Sequence, residues 1–368
     1  STTNPPEAIV AYVEPDSQAS FAGVRRGDTV TAVDGIEMTS LNTETRWNSF
    51  FAGLFPATAS ERHSLTLLTP LNRAVTTVSL QAATVTSMPV RTVQPLDTPT
   101  GRVGYIQFND HIATAESQLI DAFTSLAVLN VSDLILDVRY NGGGFLAIAS
   151  EVAYMIAGAV PTAGRVFEQL QFSDKHRSIN PVTGGALTPL PFFDTSSSGQ
   201  PLPTLNLSRV YVLTGSMTCS ASESIINGLR GVGVEVIQIG STTCGKPYGF
   251  YAKDNCGTTY FTVQFQGVNA AGFGSYGDGF SPQNTMTARG EALPACSVRD
   301  DFDFELGDPL EARVAAALEY RRSQTCPAPS GASASGFTKP MRADVGATSF
   351  EGVVAKPLWL MNRWLEAP

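Results

Sequence analysis

The sequence predicts an α/β fold in which buried strands alternate with helices, preceded by a smaller α+β module. Residues 209–214 form an apolar run typical of a buried strand, residues 222–230 have helical spacing, and residues 234–239 form the next strand. Upstream, residues 134–139 predict another buried strand, and a helix follows over residues 145–157. This alternation is typical of a sheet with parallel strands.

The front module is expected over residues 1–88. Gly27-Asp28 predicts a tight turn into a strand, and Asp34-Gly35 predicts a hairpin turn. Further elements are a helix near residues 43–55 and strands at 64–68 and 74–80. A linker rich in Thr and Pro is expected at 89–100.

The core is expected over residues 89–327. Its remaining predicted elements are a first strand at 103–108, a helix at 115–126, a strand at 258–266 and an amphipathic helix at 309–322. Residues 174–204 are rich in Pro, Gly and Ser and predict a long surface insertion of the kind that often covers an active site. Residues 328–368 are expected to form a flexible linker and an apolar docking tail.

Ser220 and Lys246 are the candidate nucleophile and general base. Ser220 lies between a predicted strand and helix, and Lys246 lies in the loop after the next strand, so both are expected at one edge of the sheet, where open α/β folds bind ligands. A serine needs a neighbouring base, and a lysine can serve once burial disfavours its ammonium form. By themselves, the serine could instead cap its helix and the lysine could be a solvated loop charge.

Three consecutive glycines follow another buried strand. Gly142 to Gly144 leave backbone N–H groups unobstructed, which an oxyanion hole requires, although the run could also be only a turn.

Three motifs in this order resemble the C-terminal processing, or tail-specific, peptidases. They are Asp137-Val138-Arg139 with Asn141 to Gly144, then Ser220-Ala221-Ser222-Glu223, then Thr243-Cys244-Gly245-Lys246. The resemblance implies a crotonase-like (ClpP-like) core with Ser220 as nucleophile and Lys246 as general base. It also implies an oxyanion hole formed by Ala221 N–H with the Gly143–Gly144 turn.

The same resemblance implies supporting residues and a PDZ-like front module. Glu223 stands where the family also has a glutamate, and Thr243 is a second supporting candidate. Some members place a glutamine four residues after the lysine to orient it, whereas this chain has Phe250. PDZ modules bind an extended peptide as an added strand. The glycine loop with which the family binds a terminal carboxylate would precede Ala8, and the sequence shows none there.

The five cysteines allow several pairings. Cys244 and Cys256 flank the loop that carries Lys246, and Cys296 and Cys326 flank a helical segment. Two disulfides with Cys219 left over is one consistent arrangement, and two free thiols at 244 and 256 is another.

Other kinds of site are disfavoured. The segment from Gly240 to Pro247 nearly matches a phosphate-binding loop, but Pro247 stands where the magnesium-binding hydroxyl should be. His111 is the alternative base, although we expect it to be a partly exposed loop residue. Histidines and acids at zinc-binding spacing are absent, so we expect neither metal nor cofactor.

The composition of the sequence limits the kinds of partner that the chain is expected to bind. A net charge of −9 argues against nucleic acid and anionic membrane, and no apolar run is long enough for a membrane helix. The family's usual location implies an exported protein, periplasmic or anchored through a segment that precedes Ser1.

The resulting prediction is a serine endopeptidase that cleaves unfolded or tail-exposed polypeptides through an acyl-enzyme on a Ser-Lys dyad. The alternative is a non-catalytic protein that binds peptides or apolar ligands on the same fold.

Overall fold

A computed structural model describes residues 8–70, 72–251, 253–285 and 290–326. Its contacts divide the chain into two compact units. The front unit contains the residues up to Met88 together with Asp301–Glu311, and the core unit contains Pro89–Asp300 and the helix that begins at Ala312. The predicted core had included residues 301–311, which instead cluster with the front unit. The predicted linker and docking tail at 328–368 lie outside the described residues.

The front unit is an antiparallel sheet with two helices, of which the first is a single turn. Its elements are β1 (Ala8–Ile9), α1 (Gln18–Phe21), β2 (Thr29–Val33), β3 (Ile36–Glu37), α2 (Glu44–Leu54), β4 (Arg62–Leu68) and β5 (Val75–Gln81), with a short 3-10 turn at Met38–Ser40. The strand order is β1-β2-β4-β5, with β3 paired to β2. The Thr43 side chain accepts from Arg46 N and begins α2, and Val33, Phe50 and Leu67 form the centre of the unit's small core.

The core unit is built on a six-stranded sheet. Its elements are β6 (Val90–Thr98), β7 (Gly101–Phe108), α3 (Ala115–Val128), β8 (Asp133–Asp137), α4 (Leu146–Ala157), α5 (Ala159–Thr162), β9 (Val166–Gln171), β10 (Leu190–Pro191), β11 (Arg209–Thr214), α6 (Ala221–Gly231), β12 (Glu235–Gly240), β13 (Tyr248–Gly249), β14 (Lys253–Asn255), β15 (Thr258–Tyr260), β16 (Phe265–Val268), β17 (Phe280–Pro282), β18 (Glu291–Leu293), β19 (Ala295–Ser297) and α7 (Ala312–Ser323).

The strand order of this sheet is β19-β12-β11-β8-β7-β6, and every pair except β6–β7 is parallel. Helices α3, α4 and α6 pack on one face, around residues such as Phe123, Val152 and Ile226. Helix α7 packs on the other face through Val314 and its neighbours. The predicted α/β alternation is confirmed, and both faces of the sheet are covered.

The predicted linker at 89–100 is wrong, because most of it forms β6. This strand pairs with β7 in antiparallel fashion at the edge of the sheet. An edge strand tolerates Pro95, since one side of its backbone needs no partner. The Thr residues that suggested a linker are also good strand formers, as are the Val residues of the same segment.

A smaller sheet has the strand order β10-β9-β16-β13, and its strand β13 directly follows the lysine loop. The predicted strand at 258–266 is divided between β15 and β16, which belong to different sheets. Most of the predicted insertion at 174–204 has no regular structure, and its strand β10 pairs with β9.

Candidate functional site

The candidate site lies where three neighbouring parallel strands end. The glycine turn follows β8, the Ser220 turn follows β11, and the Lys246 loop follows β12. The Thr218 hydroxyl donates to Val138 O at 2.8 Å and so joins the first two turns. Ser220 and Lys246 lie at one edge of the sheet, as expected, because parallel strands end on the same side. The glycine turn lies at the same edge.

Ser220 has an unusual backbone. Its φ of 58° and ψ of −116° lie in a region that residues other than glycine rarely occupy. Such a conformation costs on the order of 1–3 kcal/mol and persists where the surroundings enforce it, often at functional sites. The side chain is 0% exposed, and Oγ has no hydrogen-bond partner among the described residues. The Ser220 side chain faces the backbone N–H of Glu223 in a capping-box arrangement at the start of α6, but this contact is not a full hydrogen bond.

Glu223 joins the serine turn to the lysine loop. Its Oε2 accepts from Ser220 N at 2.9 Å and from Lys246 N at 2.8 Å. Its Oε1 accepts from Gly245 N at 2.8 Å and from Thr243 Oγ1 at 2.5 Å. Burial raises the pKa of the Glu223 carboxyl, and these hydrogen bonds oppose the rise. One buried carboxyl thus fixes the backbone beside both candidate catalytic residues.

The glycine turn lies directly against the serine turn. Gly143 has φ +95°, and a Cβ atom there would come within 2.8 Å of Ala221 N, Cys219 O and Ser220 Cβ. No other residue fits at this position without displacing the nucleophile. At Gly144, with φ +141°, a Cβ would come within 2.4 Å of His111 O.

Asn141 holds the glycine turn in place. Its Oδ1 accepts from Gly143 N at 2.9 Å, and its backbone O accepts from Cys219 N at 3.1 Å. His111 Nδ1 lies 2.9 Å from the same Oδ1. The expectation of a partly exposed His111 is wrong, since the residue is 0% exposed and its ring packs on Phe108.

A buried ionic network supports the glycine turn. Arg139 bridges Asp137 at 2.8 Å and Asp300 at 2.7 Å, and both Arg139 and Asp137 are 1% exposed. The Tyr105 hydroxyl donates to Asp137 at 2.7 Å, and the Tyr140 hydroxyl donates to Asp300. The Asp-Val-Arg motif therefore provides a rigid base for the glycines rather than a reacting group.

Lys246 is partly buried and lies beside an aromatic ring. Its Nζ is 5.3 Å from the centre of the Phe250 ring, within the range of a cation–π contact. Phe250 is 3% exposed and packs edge-to-face on Phe261. Phe250, at the position where some members of the resembled family carry a glutamine, thus contacts Lys246 through the face of its ring.

The predicted Cys244–Cys256 disulfide is wrong. Cys244 pairs with Cys219, with 5.2 Å between their Cα atoms, and Cys256 is free and exposed. The sheet brings Cys219 and Cys244 together because each lies in a turn after one of two adjacent strands, whereas Cys256 lies beyond β14. The Cys296–Cys326 disulfide is formed, as expected in the arrangement with two disulfides.

Neither a metal site nor a phosphate loop is favoured here. Cys219, Glu223 and Cys244 form the one cluster with metal-binding spacing within the described ranges, and its two sulfurs are joined as a disulfide. In the segment that resembles a phosphate loop, the N–H groups of Gly245 and Lys246 already bind Glu223. Strand β13 follows this loop, whereas a phosphate loop leads into a helix.

Sequence reasoning missed Cys219, which immediately precedes Ser220, and the anchoring role of Asn141. Cys219 lies immediately before Ser220, and Cys244 lies two residues before Lys246. This closeness to the two candidate catalytic residues was the signal that could have predicted the disulfide. Nothing in the sequence marked Asp300, because it is 161 residues away from Arg139.

A separate groove of about 490 Å³ lies in the front unit. Apolar and polar side chains line it, among them Leu54, His63 and Leu80. His63 Nδ1 is 2.7 Å from Asp34, and this hydrogen bond raises the pKa of the imidazole. Among the described residues, no helix is long and apolar enough to cross a membrane.

The chain is similar in sequence to two curated processing peptidases. A carboxyl-terminal-processing protease from Picosynechococcus is 28% identical over 233 residues, covering 63% of this chain and 49% of that protein. A chloroplastic C-terminal processing peptidase from Tetradesmus obliquus is 28% identical over 160 residues, covering 41% of this chain and 33% of that protein. The chain thus spans half or less of the length of these relatives.

The fold also matches a solved structure. A Bacteroides fragilis protein assigned to the S41 proteases superposes with a TM-score of 0.65 at 23% identity, over 88% of this chain and 80% of that one. Residues 102–249, which contain the glycine turn, Ser220 and Lys246, match the model of peptidase family S41. This match and the two curated relatives show that the chain is similar to peptidase family S41 over the segment that carries the candidate site.

Proposed function

We propose that the chain is a serine endopeptidase that cleaves unfolded or tail-exposed polypeptides, with Ser220 as nucleophile and Lys246 as general base. One observation carries the proposal. The buried Glu223 carboxyl binds the backbone N–H of both residues, so the two loops form a single constructed site. The Ser220 backbone is strained, and its buried Oγ makes no hydrogen bond to the described residues, which fits the role of a nucleophile.

In this mechanism, Ser220 Oγ attacks the peptide carbonyl carbon while its proton passes to Lys246 Nζ. The lysine then gives the proton to the leaving amine, and an acyl-enzyme remains on Ser220. A water molecule, deprotonated by Lys246 Nζ, then attacks the ester carbonyl. As the ester bond breaks, Lys246 returns this proton to Ser220 Oγ and the new carboxyl terminus is released. Each proton taken up by Lys246 is returned within one half-reaction.

The oxyanion would be bound by Ala221 N–H, which lies in the first turn of α6 and has no acceptor within the helix. The second donor would come from the Gly143–Gly144 turn, which touches Ala221. Gly143 N–H already donates to Asn141 Oδ1. To bind the oxyanion, this N–H would have to leave Asn141 or share its hydrogen bond between the two acceptors.

The finer assignments of fold and partner belong to the same proposal. The parallel sheet with helices on both faces supports a crotonase-like core, and the short antiparallel front unit with its groove supports a PDZ-like module that captures an extended polypeptide. Two disulfides favour an exported protein, since disulfides persist in oxidising compartments.

The test is labelling with a serine-reactive phosphonate, followed by peptide mass spectrometry and assay on unfolded casein. We expect the label on Ser220. Ser220→Ala and Lys246→Ala should lower turnover by several orders of magnitude while the fold persists, because the members of a catalytic unit act together. Lys253→Ala, at an exposed lysine seven residues further along the chain, is the matched control and should retain activity.

Label on another serine, or full activity of Ser220→Ala, would reject the nucleophile. The base assignment would be rejected if Lys246→Ala retained turnover while His111→Ala lost it. This comparison is informative because His111 is buried behind the glycine turn.

A further inference from the structure

The disulfide between Cys219 and Cys244 lies within the proposed catalytic centre. Cys219 immediately precedes Ser220, and Cys244 comes two residues before Lys246. The two turns follow different strands, so this bond is a direct covalent connection between the nucleophile's turn and the base's loop. We propose that the Cys219–Cys244 disulfide positions the two residues for reaction, so that only the oxidised enzyme turns over at full rate.

The surrounding contacts explain why the bond affects geometry. Cys219 is 5% exposed and is held by Asn141 O through its backbone N–H. Its carbonyl oxygen lies so close to Gly143 that a Cβ there would approach it to 2.8 Å. A displacement of Cys219 would therefore move Ser220 and the glycine turn together.

On the lysine side, the loop is otherwise held by hydrogen bonds. Cys244 N donates to Thr218 O at 3.0 Å, and Gly245 and Lys246 donate to Glu223. These bonds fix the backbone, while the reacting Nζ lies at the end of a flexible side chain. Small errors in such placement are costly, since a shift of about 1 Å can lower a rate by about 100-fold.

The second disulfide provides a matched comparison. Cys296–Cys326 spans 30 residues and Cys219–Cys244 spans 25, so chain entropy predicts almost equal stabilisation by the two bonds. However, Cys296 packs on the face of the sheet covered by α7, and Cys326 follows that helix. Loss of either bond should reduce stability alike, but only one should reduce catalysis.

Reduction is chemically feasible because Cys244 is partly exposed, whereas Cys219 is buried. A thiolate of dithiothreitol would attack Cys244 Sγ and release Cys219 as the leaving thiolate. The second thiol of the reagent would then attack the mixed disulfide, release Cys244 and close a cyclic disulfide. Two electrons and two protons pass from the reagent to the protein.

The experiment uses the full chain in a Cys256→Ser background, which removes the exposed free thiol and prevents disulfide exchange. We expect Cys219→Ala/Cys244→Ala to lower kcat about 10- to 100-fold with KM changed less than about twofold, and to slow phosphonate labelling of Ser220 in parallel. Cys296→Ala/Cys326→Ala should lower the melting temperature similarly but keep kcat. Equal kcat in the two double variants would overturn the proposal.

A second measurement does not depend on the folding of the variants. The folded parent protein is treated with dithiothreitol, and mass mapping identifies which disulfide has opened. Activity should fall as the 219–244 bond opens and return on reoxidation. Full turnover with that bond open would also overturn the proposal.

This inference depends on the proposed dyad, but the two can fail separately. Ser220→Ala and Lys246→Ala are measured in the same background. If either retains activity, the dyad is wrong. If both are inactive while the Cys219→Ala/Cys244→Ala variant is fully active, the dyad stands and only the positioning role is wrong.

Discussion

At the scale of single residues, Glu223 shows how one buried group can organise a site. Its oxygens receive four hydrogen bonds, three of them from backbone N–H groups on two separate loops. A charged acceptor with several donors makes stronger hydrogen bonds than a neutral one. The identity of this side chain therefore matters as much as that of the residues it holds.

Glu223→Gln should lower both stability and turnover. The amide has one accepting oxygen, so the donors that faced the other oxygen would meet an NH2 group. We expect the free energy of unfolding to fall by about 2–4 kcal/mol and kcat to fall with it. Thermal unfolding and casein assays measure these effects, with Glu235→Gln at an exposed position as control. A variant with wild-type stability and kcat would contradict this role.

Phe250 should orient Lys246 through its ring face. Phe250→Leu keeps an apolar side chain but removes the cation–π contact, which is worth about 0.5–1 kcal/mol, so kcat should fall about two- to fivefold. Phe250→Tyr keeps the ring and should retain activity. Steady-state kinetics of the two variants measure the difference. Equal kcat in both would show that only the bulk of the side chain matters.

At the scale of elements, helices α3 and α4 bring two carboxyl groups together. Burial, with the charge of Glu116 as a second cause, raises the pKa of Glu151 to about 8. Glu116 also accepts from Ser197 N and Oγ, at 2.5 and 2.6 Å. The contact between α3 and α4 is thereby linked to the hydrogen bonds that hold Ser197, in the insertion at 174–204, against α3.

This pair predicts a pH-dependent stability. In the folded state Glu151 stays protonated up to about pH 8, whereas in the unfolded chain it ionises near its ordinary value of 4.5. The contribution of Glu151 to the free energy of unfolding is therefore fully present below about pH 4.5. It is lost as the pH rises to about 8, by at most about 1 kcal/mol per pH unit after allowance for solvent screening.

Melting temperatures of the wild type and Glu151→Gln, measured from pH 5 to 9, test this dependence. The difference between the two proteins should grow in favour of the variant up to about pH 8 and then level off. A constant difference across this range would show that the carboxyl does not remain protonated in the folded protein.

At the scale of the whole molecule, no described site calls for a metal or a nucleotide. We expect EDTA, ATP and Mg²⁺ each to leave peptidase activity unchanged in a continuous casein assay, because the loop amides that would hold a phosphate already bind Glu223. Loss of activity in EDTA that zinc or magnesium restores would overturn the serine mechanism.

The sequence predicted most of the core because local patterns determined it. Runs such as residues 209–214 and 145–157 are long and apolar, and the structure has them within a residue of the expected bounds. Errors arose where distant parts of the chain decide. Pairing with β7 makes a strand of residues 90–98, and the adjacency of β11 and β12 selects Cys219 as the partner of Cys244.

The return of residues 301–311 to the front unit has a consequence for synthesis on the ribosome. Arg26 donates to Asp301 O and Phe304 O, and its guanidinium covers the ring of Phe302. A nascent chain emerges from its N-terminus, so the front unit lacks these partners until almost all of the core has been made. We expect it to complete its folding late, and a fragment ending at Met88 to be less stable than the same fragment supplied with residues 301–311.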